Sequence, residues 1–476
     1  LGDVYKRQIK MKMINQDTIC AIATAQGGAI GIIRVSGPRA IEITSHLFIP
    51  VQGKPLTERK PYTLTFGKIL SPQGEVIDEV LVSLFRAPHS YTGEDSTEIM
   101  CHGSSYILQQ VIQLLIQSGC RSALPGEYTQ RAFLNGKMDL SQAEAVADLI
   151  ASSSAASHRL AMSQMRGGFS KELAELRNRL LHFTSLMELE LDFSDHEELE
   201  FANRSELNEL AAHIEQVIAR LAHSFSVGNA IKNGIPVAII GETNVGKSTL
   251  LNALLNEEKA IVSDIHGTTR DVIEDTINLQ GITFRFIDTA GIRQTSDTIE
   301  SLGIKRTFKK MEQSHIILWM IDSTDVKGRL EELQTEILPH CQSKKLIILF
   351  NKSELLLPIQ KEELATMFAN IETEKLFISA KKRENITTLE EKLVQAATLP
   401  EISLNDIIIT NARHYEALVQ ALNSIHRVQE GLQSDLPGDL VSEDLRQCIF
   451  HLSDIVGDVT NDEVLENIFK NFCIGK

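Results

Sequence analysis

Gly241-Glu242-Thr243-Asn244-Val245-Gly246-Lys247-Ser248 falls between an apolar run, Pro236 to Ile240, and a helix-like run that begins at Thr249 and continues to Leu255. A strand that passes into a helix through GxxxxGK[ST] leaves few folds open. The glycines let the loop wrap around a phosphate, its backbone N–H groups point at the oxygens, and the following helix start adds favourable partial charge. Lys247 is expected against the β and γ phosphates of a nucleotide, and the Ser248 hydroxyl on Mg²⁺.

Four more pieces follow in a fixed order. Asp288-Thr289-Ala290-Gly291 comes directly after an apolar run ending at Ile287, where a carboxylate can hold Mg²⁺ through water. Gly267-Thr268-Thr269-Arg270 offers a hydroxyl in a stretch suited to grip Mg²⁺ and γ-phosphate and then release them. Asn351-Lys352-Ser353-Glu354 and Ser379-Ala380-Lys381 each follow a strand-like run and complete a base-binding pair. The set resembles the Ras-like, translation-factor-type GTPases. Glu354 departs from the usual Asn-Lys-x-Asp, and its extra methylene moves the carboxylate outward from a guanine. Ile292 stands where a water-orienting glutamine would follow. A cation could replace an arginine finger, since the transition state mainly needs positive charge near the bridging oxygen. Asn244 could give such an ion its amide oxygen, against a plain turn role. Glu300 is a candidate to orient the water, against a solvated surface role.

The remaining periodicities divide the 476 residues into separate cores. Short β-rich runs at 18–23, 31–35 and 76–85, with one helical stretch at 105–116, predict an α+β domain over 13–125. Helical periodicity starts after Pro125 with a capping box, Ser141 and Glu144, and includes an apolar face of Leu210, Ile214, Val217 and Leu221. Apolar strands at 236–240, 284–287, 316–321 and 346–350 alternate with helices, the βα pattern of a parallel sheet. The predicted fold is multidomain: an all-α domain made discontinuous (126–232 and 400–476) by an inserted α/β Ras-like P-loop domain at 233–399. The polar segment 1–12 is expected to be an extension outside the fold.

Composition narrows the function classes. With 47 Lys and Arg against 63 Asp and Glu the formal charge is −16, which argues against a broad basic nucleic-acid surface and leaves any RNA contact local. At 43% hydrophobic and 23% charged, with no apolar run of spanning length, a disordered, collagenous or membrane-spanning chain is a poor fit. Six scattered cysteines without a CxxC pair suit neither a disulfide framework nor a zinc knuckle, so a reducing, cytoplasmic setting is expected.

Further stretches extend the resemblance to almost the whole chain: Gly31-Ile32-Ile33-Arg34-Val35-Ser36-Gly37, Ser90-Tyr91-Thr92-Gly93-Glu94-Asp95, Pro125-Gly126-Glu127-Tyr128-Thr129, Arg131-Ala132-Phe133-Leu134-Asn135-Gly136-Lys137 and Cys473-Ile474-Gly475-Lys476. With the nucleotide motifs, these are similar to the MnmE (TrmE) family of tRNA-modification GTPases. The resemblance implies a tetrahydrofolate-binding N-terminal domain whose pocket involves Arg34, Glu98, Lys137 and Lys476. It implies a one-carbon unit carried as 5,10-methylene- or 5-formyl-tetrahydrofolate, with glycine or ammonium as nitrogen donor. The product it implies is carboxymethylaminomethyl or aminomethyl at C5 of the wobble uridine (U34), made with a flavin (FAD)-dependent partner protein in a heterotetramer-like complex. It implies a homodimer whose nucleotide faces meet when K⁺ is bound by Asn244 and by Ser263, Ile265 and Thr268 of the loop Ser263-Asp264-Ile265-His266-Gly267-Thr268, with Mg²⁺ on Ser248 and Thr269. On the same resemblance Glu300 positions water, Arg270 and Arg293 flank the site and could serve in the switch, and Cys473 takes part in modification. One competing reading is a regulatory or ribosome-assembly GTPase switch whose outer domains bind only RNA or protein, and another makes the outer domains a dimerisation scaffold with no ligand.

Overall fold

The computed structural model describes residues 17–25, 27–192, 204–255, 275–287, 311–326, 331, 335, 337–341, 344–397, 407–434, 436–459, 465, 468–470, 472 and 475. The chain forms two compact units, Leu1–Ala147 with Gln164–Asn203 and Gly431–Lys476, and Asp148–Ser163 with Arg204–Glu430.

The first unit is built on β1 (Thr18–Ile22), β2 (Ile30–Ser36), β3 (Phe48–Pro50), β4 (Thr63–Leu70), β5 (Val76–Phe85), β6 (Ser96–His102) and β7 (Cys120–Ser122). They pair in the order β3-β4-β5-β6-β2-β1-β7, antiparallel except for β1 with β7. Period-2 alternation sends Ile33, Val35, Val80, Val82, Leu84 and Ile99 to one face, where they pack with helices α1 (Ala40–Leu47) and α2 (Ser105–Gln117). The other face carries Arg34, Glu98, Ser83, Leu81, Phe66 and Ile30. Registers Arg34↔Glu98 and Ser83↔Glu98 place the first three side by side.

Helix α3 (Glu127–Leu134) locks the loops of this unit through charges withdrawn from water. The Arg131 guanidinium is fully buried and donates to Asp17 Oδ1 at 2.6 Å, Glu127 Oε1 at 2.9 Å and Glu94 Oε1 at 3.2 Å. Arg121 adds hydrogen bonds to Asp17 and Glu127. Three of the family-like stretches thus meet in one structural network. Burial pushes the carboxyls of Asp17 and Glu127 up, but hydrogen bonds from Arg121 and Arg131 outweigh it and hold both below their ordinary values. Glu94 runs the other way: burial pushes its carboxyl up despite Arg131.

Helix α4 (Leu140–Ala151) begins one residue before the expected cap. Its capping box is Asp139 with Gln142, not Ser141 with Glu144: Gln142 N donates to Asp139 Oδ1 and Asp139 N to Gln142 Oε1, both at 2.9 Å. Asp caps as well as Ser does, so the two candidate starts cannot be ranked without the backbone. After α5 (Ala155–Met165) come α6 (Gly168–Asp192) and α7 (Arg204–Asn233). The buried stripe of α7 runs through Leu207, Ala211, Ile214, Ile218 and Leu221, turned away from the expected Leu210 and Val217.

In the second unit β8 (Ile235–Ile240), α8 (Lys247–Leu255), β9 (Asp275–Leu279), β10 (Ile282–Phe286), β11 (Ile316–Asp322), β12 (Lys345–Asn351), α9 (Pro358–Met367), β13 (Glu374–Phe377) and α10 (Ile386–Ala396) follow one another, before α11 (Ala412–Gln433). The sheet order is β13-β12-β11-β8-β10-β9, parallel except for β9 with β10. Apolar residues lie on both faces, as helix-covered parallel strands require. Helix α12 (Gly438–Val456) belongs to the first unit and packs along α6, with Arg446 paired to Glu188 at 2.6 Å.

Arg131→Ala removes the buried cation that three carboxylates share and leaves Asp17 and Glu127 to Arg121, which costs about 3–5 kcal/mol, and the first melting transition of the full chain should fall accordingly. In acid the network's contribution is complete above the unfolded carboxyl values of about 3.9 and 4.3, and is lost as pH falls through the depressed values of Asp17 and Glu127. Arg131→Ala should flatten that acid dependence. An unchanged melting temperature and acid profile would show that the network does not hold the unit.

Candidate functional site: a nucleotide loop and a cation–tyrosine site

The carboxyl ends of β8, β11 and β12 converge on the loop 241–246, the edge where parallel sheets receive ligands. Gly241 has φ +139° and its Cβ position lies 2.3 Å from Met320 O; Gly246 has φ +101° and its Cβ position lies 2.4 Å from Asn351 Nδ2. Neither site admits a side chain. Lys247 curls back so that Nζ donates to Gly241 O at 2.7 Å and Glu242 O at 2.5 Å, which holds the ammonium over the loop.

Asn351 joins the motifs. Its Nδ2 donates to Val245 O at 2.7 Å, and its Oδ1 accepts from Ala380 N at 3.0 Å. One buried side chain therefore bridges the phosphate loop and the Ser379-Ala380-Lys381 turn, where Ser379 and Ala380 are buried as well. Lys352 takes φ +63° and pairs with Asp322 Oδ2 at 2.5 Å. Burial pushes the Asp322 carboxyl up, but hydrogen bonds from Lys352 and Thr324 outweigh it and hold it below the usual range. A cavity of about 140 Å³ opens where Thr243, Asn244 and Val245 face Asp322, Asp325 and Lys352. Glu354 Oε2 is buried without a hydrogen-bond partner among the described residues. A buried carboxylate oxygen in that condition is unfavourable unless a donor arrives, which suits a ligand edge bearing N–H groups.

Of the expected nucleotide residues, Asn244, Val245, Gly246, Lys247, Ser248, Thr249, Asn351, Lys352, Glu354, Ser379, Ala380 and Lys381 lie within the described part of one unit. Ser263, Asp264, Ile265, His266, Gly267, Thr268, Thr269, Asp288, Thr289, Ala290, Gly291 and Glu300 lie outside the described residues, as do Arg270, Arg293, Cys473 and Lys476.

The first unit holds the second site. Arg34 Nε and Nη2 donate to Glu98 Oε1 at 2.9 and 2.7 Å, and Nη1 donates to Gly475 O at 3.3 Å. The Arg34 Cζ lies 5.7 Å from the Tyr91 ring centroid and 5.6 Å from that of Tyr128, within cation–π range of both. Tyr128 OH donates to Arg34 O at 2.8 Å, and Tyr91 OH shares a 2.9 Å hydrogen bond with Thr129 Oγ1. Burial raises both phenols, so they stay neutral hydrogen-bonding groups. Gly475 has φ +94°, and a Cβ there would lie 2.6 Å from Ile22 O. Lys137 Nζ donates to Pro88 O at 3.0 Å, on the loop that also carries Tyr91. Sequence reasoning named Arg34, Glu98 and Lys137 but missed Tyr91, Tyr128 and the Gly475 carbonyl. Both tyrosines stand in family-like stretches, and that was the available signal.

A strand–loop–helix phosphate cradle tied to Asn-Lys-x-acid and Ser-Ala-Lys turns on a parallel sheet defines a P-loop GTPase. Residues 18–137 match the family model for the GTP-binding protein TrmE N-terminus, and residues 140–473 match that for the MnmE helical domain. The tRNA modification GTPase MnmE of Phocaeicola vulgatus is 78% identical over 98% of this chain and 100% of that relative. Those of Bacteroides thetaiotaomicron and Flavobacterium johnsoniae are 70% and 52% identical over 97% and 98% of this chain, each over its full length. The chain belongs to the MnmE family of tRNA modification GTPases.

Gly246→Ala forces a methyl into Asn351 Nδ2 at a left-handed φ and should weaken binding of a fluorescent GTP analogue more than tenfold, by breaking the amide bridge. Binding within twofold of the parent chain would show that the bridge is dispensable.

Proposed function

We propose that this GTPase couples hydrolysis to modification at C5 of a tRNA wobble uridine (U34), using a one-carbon unit carried by tetrahydrofolate at the Arg34 site and a flavin-dependent partner protein. The observation that carries the reading is the Arg34 constellation itself. A guanidinium, a carboxylate and two tyrosine rings surround one spot on the outer sheet face, and the backbone at Gly475 reaches it. A pterin offers a flat ring for stacking and an N–H edge for a carboxylate, and its glutamate tail calls for cations such as Lys137 and Lys476. Both Arg34 hydrogen bonds fall on Glu98 Oε1, and Cys473 lies two residues from Gly475 in sequence.

On the nucleotide side, the close glycine contacts and the unpartnered Glu354 oxygen fit a bound GTP. Ser248 and Thr269 would hold Mg²⁺, which supplies charge neutralisation at the phosphates. Lys247 places its ammonium beside the loop, and Lys352 with Glu354 presents the base-binding edge. Asn244, at φ +64°, would give its amide to K⁺ together with Ser263, Ile265 and Thr268, in place of an arginine finger, while Glu300 orients water. A homodimer is part of the reading. The cross-strand row Phe66, Leu81, Met100 and Ile32 gives the outer sheet face an apolar band, with Phe66 48% and Leu81 37% exposed, that a second copy would cover.

Calorimetric titration of the full chain with 5-formyltetrahydrofolate should show binding, weakened more than tenfold by Arg34→Ala. No heat from the parent chain would favour a switch GTPase with a non-folate outer domain. Hydrolysis of GTP should be at least tenfold faster in KCl than in NaCl at equal ionic strength, and equal rates would remove K⁺ from the mechanism.

A further inference from the structure

We propose that residues 54–62, together with the loop 86–91, form a docking surface for a single-stranded RNA loop that delivers its bases to the Arg34 site. The inference rests on the tRNA reading above and adds where the RNA is held. The two segments are fastened to each other. Arg59 donates from Nε to Lys54 O at 2.8 Å and from Nη2 to Gln52 O at 2.6 Å, which closes the first segment on itself. Arg86 Nη2 donates to Thr57 O at 2.7 Å and Tyr62 OH to His89 O at 2.7 Å, joining the second segment to the first. Lys137 Nζ also holds Pro88 O, and the same loop ends at Tyr91, beside Arg34. Hydrogen bonds thus link the chain from Lys54 through His89 and Pro88 to Tyr91 beside Arg34.

Charge and ring exposure select the occupant. Residues 51–62 hold Lys54, Arg59 and Lys60 against Glu58 alone, in a chain whose formal charge is −16. Glu58 sits 3.5 Å from Lys54, both side chains well exposed, a pairing that phosphate can displace at little cost. The neighbouring acids face elsewhere: Glu94 turns inward to Ser36 and Arg131, Asp95 Oδ1 accepts from Ala87 N, and Glu98 holds Arg34. Tyr62 is 65% exposed and meets Phe85 edge-on at 5.9 Å; Tyr91 is 37% exposed. Unpaired bases stack on such rings while their phosphates sit on nearby cations, whereas a duplex keeps its bases out of reach. An acidic peptide would use the cations and leave the rings idle.

The test titrates the full chain with a synthetic RNA hairpin carrying uridine at the first anticodon position, read by fluorescence anisotropy over a salt series. Lys54→Glu with Lys60→Glu should weaken binding about tenfold and reduce the log–log salt slope by about 0.7 for each phosphate that is no longer neutralised. Tyr62→Ala should weaken it about tenfold as well, and Tyr62→Phe, which keeps the ring, should restore most of that. Equal losses with Tyr62→Phe and Tyr62→Ala would assign the effect to the hydroxyl on His89 O rather than to the ring, and overturn the stacking role. If the parent chain binds the hairpin and the variants bind it equally well, the surface is wrong while the tRNA reading stands. If the parent chain binds no RNA, both fall. Titration of the same variants with 5-formyltetrahydrofolate separates docking from collapse: the surface requires folate binding to survive, and its loss alongside RNA would overturn the assignment.

Discussion

The buried amide of Asn351 is the contact on which the nucleotide site depends. It spends a donor on Val245 O and an acceptor on Ala380 N, so the loop that would wrap the phosphates and the turn that would flank the base cannot move independently. Gly246 is required because Asn351 occupies the space where a side chain would go. In a low-dielectric interior such a doubly satisfied amide is strongly held, and losing either partner leaves a buried polar group unmatched. The parallel order β12-β11-β8 is what brings these three chain ends to one edge.

The other unit solves a different problem by a related device. Arg131 gathers Asp17, Glu94 and Glu127 from three separate stretches, and this fixes the loop that carries Tyr91 against the helix α3 that carries Tyr128. The tyrosines then bracket Arg34, whose third nitrogen reaches the Gly475 carbonyl. A fully buried arginine thus does the positioning, and a partly exposed one is left to meet a ligand. Charge burial of this kind is costly unless every oxygen finds a donor, and here the donors come from Arg121, Ser36 and the backbone of Leu124 as well as from Arg131.

The phosphate loop was legible because its chemistry is local: eight consecutive residues set both backbone shape and ligand. The strands β5, β8, β11 and β12 were legible for the same reason, and β5 falls where the alternation placed it. The Arg34–Glu98 pair was legible only as two candidate residues. Their contact depends on the β2–β6 register across 64 positions, and a one-residue slip of either strand would turn its own member of the pair to the core face. The tyrosine bracket was invisible for a related reason, since Tyr91 reaches Arg34 from a loop and Tyr128 from helix α3. At α4 the ambiguity was chemical, because Asp139 and Ser141 are equally good caps and only the reciprocal Gln142 contact decides. The α7 stripe drifted because a long helix with mixed apolar residues admits more than one 3.6-residue face.

On the proposed reading, one chain joins a GTP-driven site to a separate one-carbon site, and tRNA modification needs both. The most direct measurement is mass spectrometry of tRNA nucleosides from cells whose own copy is replaced by Lys247→Ala or by Arg34→Ala, with protein levels matched. C5-modified wobble uridine should fall to the level of a deletion in both strains. Normal modification in the Arg34→Ala strain would contradict the one-carbon site, and normal modification in the Lys247→Ala strain would contradict its dependence on the nucleotide.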